Sequence, residues 1–97
     1  NRFCFEGFLP VKKGRQTLLR QLAEESRTMI FYESPHRLEK TLLEFQGVFG
    51  ADRKCSVSRE LSKLHEETCR GSLAEVHQYF QQKGVKGEIV IVLAGKE

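Results

Sequence analysis

Two short runs, Thr28-Met29-Ile30-Phe31-Tyr32 and Ile89-Val90-Ile91-Val92-Leu93, are apolar at nearly every position and rich in β-branched and aromatic residues. Runs this short, bounded by glycine or polar residues, fit strands inside a sheet better than helices. The intervening stretches have a different period. Leu18, Leu19, Leu22 and Ala23 repeat at helical spacing between Arg15 and about Glu25, and Leu38, Leu42, Phe45 and Phe49 step by four, three and four. Leu73, Val76 and Phe80 form a third such stripe. Alternation of this kind predicts one sheet with helices packed on it.

Local signals complete the expected order β-α-β-α-β-β-α-β. Phe3-Cys4-Phe5-Glu6 reads as a short strand that Gly7 and Pro10 turn into a loop. Ser34-Pro35 has the grammar of a helix start, with Ser34 as N-cap and Pro35 at the first helical position. Lys54 to Arg59 alternates, placing Cys55, Val57 and Arg59 on one face and Ser56 and Ser58 on the other. Glu66 to Gly71 reads as a further short strand, Ser72 as the cap of the third helix and Gly84 as its end. The fold class expected is therefore α/β: residues 1–97 as a single domain, with a mixed, mostly parallel sheet of about five strands. The Thr28–Tyr32 strand is expected to be covered on both faces.

With 97 residues, 39% hydrophobic and 30% charged, the chain holds one ordinary core and is not disordered in composition. Its longest apolar run, Ile89 to Ala94, is far short of the roughly 20 residues that span a bilayer. No membrane association is expected. The chain begins with Asn1 and shows no charged-then-apolar leader. Cys4, Cys55 and Cys69 make an odd set without a C-x-x-C pair, so free thiols and a cytoplasmic location are expected, and no metal site.

The net charge of +3 is mild, but Lys12, Lys13, Arg15 and Arg20 fall together without an acid among them and are suited to phosphate contact. Polar groups concentrate at Glu33-Ser34-Pro35-His36-Arg37 and at Arg59 to Glu67, both after expected strands, where open α/β sheets bind ligands. No P-loop and no G-x-S-x-G elbow occurs. Phe3, Phe5 and Phe8 read as core rather than as rings for stacking on bases.

Four segments in this order, Phe5-Glu6-Gly7-Phe8-Leu9-Pro10, Tyr32-Glu33-Ser34-Pro35-His36-Arg37-Leu38, Arg59-Glu60-Leu61-Ser62-Lys63 with Glu66-Glu67, and Gly87-Glu88-Ile89-Val90-Ile91-Val92, carry a resemblance. From Phe3 to Gly95 the chain resembles the C-terminal half of ribosomal RNA methyltransferases in the tetrapyrrole methylase family. The Tyr32–Arg37 and Arg59–Lys63 blocks are its specific part. The resemblance implies an enzyme that uses S-adenosyl-L-methionine, bound between an N-terminal domain absent from this chain and the domain seen here. It also implies a homodimer acting on the 2′-hydroxyl of a cytidine in 16S ribosomal RNA of the small ribosomal subunit. On that basis Tyr32, Glu33, Ser34, Pro35, Arg59, Glu60, Leu61, Ala94 and Gly95 are the expected cofactor contacts. Lys12, Lys13, Arg15, His36, Arg37 and Lys63 are the expected RNA contacts. Glu60 and His36 both suit a general base, and nothing in the sequence selects either. The alternatives are a methylase of corrin or porphyrin precursors and a non-catalytic RNA-binding or dimerisation module.

Overall fold

The computed structural model describes residues 3–62 and 65–97, apart from the side chains of residues 60–62, 65 and 66. The order is β1 (Phe3–Phe8), α1 (Arg15–Leu22), β2 (Thr28–Glu33), α2 (Leu38–Phe49), β3 (Lys54–Ser62), β4 (His65–Ser72), α3 (Leu73–Gln82) and β5 (Glu88–Leu93). The alternation expected from the hydrophobic periods is observed. The first helix ends earlier than its apolar repeat suggests, because Ala23 serves as its C-cap.

The strands form one mixed sheet in the order β1-β2-β5-β3-β4. Among the described residues only β1 and β2 pair in parallel; β2 with β5, β5 with β3 and β3 with β4 are antiparallel. The sheet is therefore not mostly parallel, and the reason lies in connectivity. Each helix joins strands of the same direction, as a crossover requires. The β3–β4 hairpin reverses the chain, so α3 returns β5 in the opposite direction into the gap between β2 and β3. What would have been parallel neighbours are thereby separated by an antiparallel strand.

All three helices contribute to one core, on one face of the sheet. Leu19, Leu22, Leu38, Leu42, Phe45, Phe49, Leu73, Val76 and Phe80 meet Met29, Phe31, Cys55, Val57, Ile89, Ile91 and Leu93. The strand residues in this set are alternate ones, facing the same way in the pairing register. The Thr28–Tyr32 strand is thus covered on one face, not two. Its apolar run arises because Ile30 and Tyr32 on the second face are apolar too, a pattern that sequence alone does not distinguish from double coverage.

The second face starts at β1. Phe3 and Phe5 stand beside Thr28 and Ile30, and a bulge between Phe5 and Gly7 inserts one extra residue. Without it Phe8 would fall on the face opposite Phe5; with it Phe8 stands beside Tyr32 on the same face. Gly7 enables this by adopting φ 64°, a conformation that other residues rarely take. Phe3, Phe5 and Phe8 are consequently exposed rather than part of the core.

Ser72 caps α3 as expected: its hydroxyl accepts from the Glu75 N–H, and the Glu75 carboxylate accepts from the Ser72 N–H. Ser34 does not cap α2. Its carbonyl accepts from the Arg37 N–H in a turn, and the helix begins three residues later, with Arg37 at the N-cap. The donor that a capping serine would satisfy is taken up by that turn.

Candidate binding cleft at the strand ends

The directions of the strands bring the C-terminal ends of β1, β2 and β3 to one end of the sheet, together with the N-terminal end of β5. A cleft of about 320 Å³ opens there, lined by Phe8, Tyr32, Glu33, Ser58, Arg59, Glu88, Ile89 and Val90. Tyr32, Glu33 and Arg59 are thus brought together as expected, from segments far apart in sequence. Its walls are mainly apolar, with a few charged groups at defined places, the composition usual for a small-molecule site.

Glu33 is only 8% exposed, and its carboxylate is fully engaged. One oxygen accepts from the Ser34 N–H at 2.7 Å, and the other from the Thr41 hydroxyl at 2.6 Å. Arg37 Nε stands 3.9 Å from the first oxygen. The Thr41 oxygen in turn accepts from Arg15 Nη2 at 3.1 Å. Arg15 also donates from Nε and Nη2 to one Glu44 oxygen, at 2.9 and 2.7 Å, and from Nη1 to the Pro10 carbonyl at 2.9 Å. A continuous chain of polar contacts therefore runs from the β1–α1 loop through α2 to the end of β2. Glu33 shapes the turn that follows it.

Arg15 does not belong to an RNA-facing surface. It is 6% exposed and its guanidinium is turned inward onto Glu44, Thr41 and Pro10. Its helical phase, four residues before Leu19 and seven before Leu22, explains this: all three residues face the core. Lys12, Lys13 and His36 are exposed and Arg37 half-buried, all near the cleft end of the sheet. Lys63 lies outside the described residues. Glu60 and Leu61 lie in β3, with Glu60 opposite Glu66 on β4 and Glu88 on β5.

Arg59 lines the cleft from β3 and is held from behind. Its Nε donates to Glu67 Oε1 at 2.6 Å, while the other Glu67 oxygen accepts from the Tyr79 hydroxyl and from Lys83 Nζ at 3.1 Å. The Tyr79 hydroxyl, then Arg59, then Lys83 hold the Glu67 carboxyl down at about 2, against an ordinary 4.5. A carboxyl lowered on folding stabilises the fold above its ordinary value, and that contribution is lost as pH falls from about 4.5 to about 2. Glu67→Gln is expected to lessen the acid-induced loss of stability across this interval. The check is urea denaturation of both proteins at several pH values; parallel stability profiles would refute the assignment.

Ala94 and Gly95 lie elsewhere. Because β5 is antiparallel to β2, Leu93 pairs with Met29 whereas Ile89 pairs with Glu33. The end of β5 that faces the cleft is its beginning, and Ala94 and Gly95 stand at the opposite end of the sheet. There the Arg53 guanidinium donates to the Ala94 carbonyl at 2.9 Å, and Gly95 passes directly over the Ser26–Arg27 backbone. The lining residues that sequence reasoning missed are Phe8, Ser58, Glu88, Ile89 and Val90. The Gly87-Glu88 boundary before the last apolar run marked the position of Glu88 and Ile89, but not the strand's direction.

Curated relatives match this chain throughout. A Ribosomal RNA small subunit methyltransferase I of Thermotoga maritima is 45% identical over 97 residues, which is all of this chain and 43% of the relative. That of Synechocystis is 49% identical over 96 residues, 98% of this chain and 34% of the relative. That of Mycobacterium tuberculosis H37Rv is 47% identical over 95 residues, 97% of this chain and 33% of the relative. The chain belongs to the ribosomal RNA small subunit methyltransferase I family. It spans between a third and somewhat over two fifths of the length of these relatives. No family model matches it.

Among solved structures, a cobalt precorrin-4 methyltransferase of cobalamin biosynthesis superposes with a TM-score of 0.69 at 16% identity, covering 95% of this chain and 39% of that one. The methyltransferase CobJ gives 0.65, also at 16% identity, covering 98% of this chain and 41% of that one. This ribosomal RNA small subunit methyltransferase I relative therefore shares the fold of part of those enzymes. The resemblance carried by its Tyr32–Arg37 and Arg59–Lys63 blocks agrees with both comparisons.

Proposed function

We propose that the chain is the C-terminal domain of a ribosomal RNA methyltransferase that uses S-adenosyl-L-methionine, and that the strand-end cleft is its half of the donor site. In this reading an N-terminal domain from the rest of the polypeptide supplies the other half. The observation that carries it is the convergence of Tyr32, Glu33 and Arg59 with Ile89 and Val90 around one cleft at the carboxyl ends of β2 and β3. Its size is near the lower end for small-molecule sites, about 300–1,000 Å³, as suits half of a shared cleft.

The residues present fit the donor. Phe8, Ile89 and Val90 offer apolar walls and Tyr32 an aromatic one, suited to the adenine ring, while Glu88 places negative charge at the cleft, where a sulfonium cation is favoured. Bound S-adenosyl-L-methionine supplies an electrophilic methyl carbon; the protein's task is alignment and exclusion of water. Glu33, held by Ser34 and Thr41, fixes the turn beside Tyr32, and Glu67 fixes Arg59. Ser34, Pro35, Glu60 and Leu61 belong to the same strand ends.

The substrate in this reading is the 2′-hydroxyl of a cytidine in 16S ribosomal RNA, and the working unit is a cytoplasmic homodimer. Exposed Lys12, Lys13 and His36, with Arg37, supply phosphate contacts beside the cleft. No helix among the described residues is long and apolar enough to cross a membrane.

Calorimetric titration of S-adenosylhomocysteine into the full-length protein tests the site. Tyr32→Ala is expected to weaken binding about tenfold or more, since aromatic stacking on a base is worth about 1–3 kcal/mol. Unchanged affinity in the folded variant would remove the cleft from the donor site.

A further inference from the structure

The helices cover one face of the sheet and leave the other open. Beside the cleft, that open face presents Phe3 and Phe5 from β1, Thr28 and Ile30 from β2, and Val92 from β5, with Val90 at the border that face and cleft share. None of the six is ionisable. Phe3 and Phe5 are 55% and 57% exposed, and Phe5 stands edge-on to Tyr32 with ring centres 5.3 Å apart. Large apolar side chains gathered in this way mark an interaction surface rather than ordinary exposure.

The chemistry of the patch selects its occupant. A strand of RNA needs cations along its phosphates, whereas among the described residues Lys54 and Arg70 meet the patch only at its β3–β4 margin, beside Thr28 and Val92. Apart from a shallow hollow where Thr28 and Val92 meet Lys54 and Arg70, the patch is a broad sheet face, which suits a packed protein surface. In the relatives, more than half of the polypeptide lies outside the stretch matched here. The patch also runs without interruption into the cleft, because Phe8 and Tyr32 belong to both.

We propose that the open face around Phe3, Phe5, Ile30 and Val92 is the seat on which the remainder of the full-length polypeptide packs through an apolar surface of its own. This rests on the reading of the chain as one domain of a longer enzyme. A domain seated there abuts Phe8 and Tyr32 and so forms the missing wall of the cleft. The bulge at Gly7 is what makes seat and cleft continuous, since it returns Phe8 to the face that carries Phe5.

Hydroxyl-radical footprinting of the full-length protein, read residue by residue by mass spectrometry, tests this. Leu43 on α2, 58% exposed here, serves as the freely reacting reference, and fully buried Phe45 as the protected one. Phe3 and Phe5 are expected to react as slowly as Phe45, at every protein concentration and without RNA. Modification as free as that of an exposed side chain would overturn the proposal. So would protection that fades on dilution, which would assign the face to a second copy, or protection that appears only with RNA. Phe5→Arg, which touches no core residue's burial in this domain, is expected to restore reactivity at Phe3 in the full-length protein; continued protection there would also count against it. Titration of S-adenosylhomocysteine into the same wild-type protein reports on the cleft separately. Donor binding with reactive rings sinks the interface alone, and protected rings without donor binding sink the donor site alone.

Discussion

Replacing Arg15 with methionine is expected to destabilise the fold by about 3–5 kcal/mol, the usual cost of breaking a buried ion pair from one side. The guanidinium is the common donor to Glu44, Thr41 and the Pro10 carbonyl, and the Arg15 and Glu44 side chains are only 7% and 22% exposed. Methionine fills a similar volume but leaves the Glu44 carboxylate in place, with Gln16 as a remaining hydrogen-bond partner at 2.8 Å. For a domain whose total stability is about 5–15 kcal/mol, this is a large fraction. Urea denaturation of the two proteins measures it. The double variant Arg15→Met with Glu44→Leu is expected to recover much of the loss, because it removes the uncompensated charge as well. A single variant as stable as the parent would show that the network contributes little. The effect reaches the cleft too: Thr41 is shared between Arg15 and Glu33, so the turn after β2 loses part of its support.

Gly95→Ala is expected to cost about 1–3 kcal/mol or more, in the manner of an overpacked core. A Cβ at this position would overlap the Ser26 carbonyl group and the Arg27 carbonyl oxygen, all of them backbone atoms that cannot rotate away. The backbone around it also holds the C-terminal segment, through Ala94 N–H to Lys54 O of β3 at 2.9 Å and Lys96 N–H to Glu25 O of the α1–β2 connection at 2.7 Å. At roughly 4–8 °C per kcal/mol for a domain of this size, thermal melting resolves the change easily. An unchanged melting temperature would mean that the close approach is relaxed at little cost. Affinity for S-adenosylhomocysteine, measured well below the melting temperature, is expected to stay unchanged. Ala94 is five residues along β5 from Ile89, which at 3.4 Å per residue places it roughly 17 Å from the cleft. Loss of donor affinity without loss of stability would return Gly95 to the donor site.

Both predictions concern residues that the sequence identified for another reason. Arg15 stood in a basic cluster with Lys12 and Lys13, and Gly95 followed the last strand. The cluster was real as composition, but a helix distributes successive residues around its axis, so Arg15 faces inward while its neighbours in the preceding loop face solvent. Likewise, a glycine after a strand is a reasonable ligand contact only if that end of the strand is the ligand end. In β5 it is not.

The sequence by itself determined the elements, their order and the helical share of the core, but not that of β1, whose Phe3, Phe5 and Phe8 are exposed. Those follow from signals that are local and need no partner: three stripes at helical period, short apolar strands between them, and Ser72 as the cap of the third helix. It also carried the family, through blocks of specific residues. Tertiary structure alone decided which strands are neighbours, which way β5 runs, and which sheet face remains bare. Strand pairing is a contact between segments far apart in the chain, and alternation along one strand does not reveal what covers either side. The cleft depends on that information, because its walls come from four strands and one of them enters reversed.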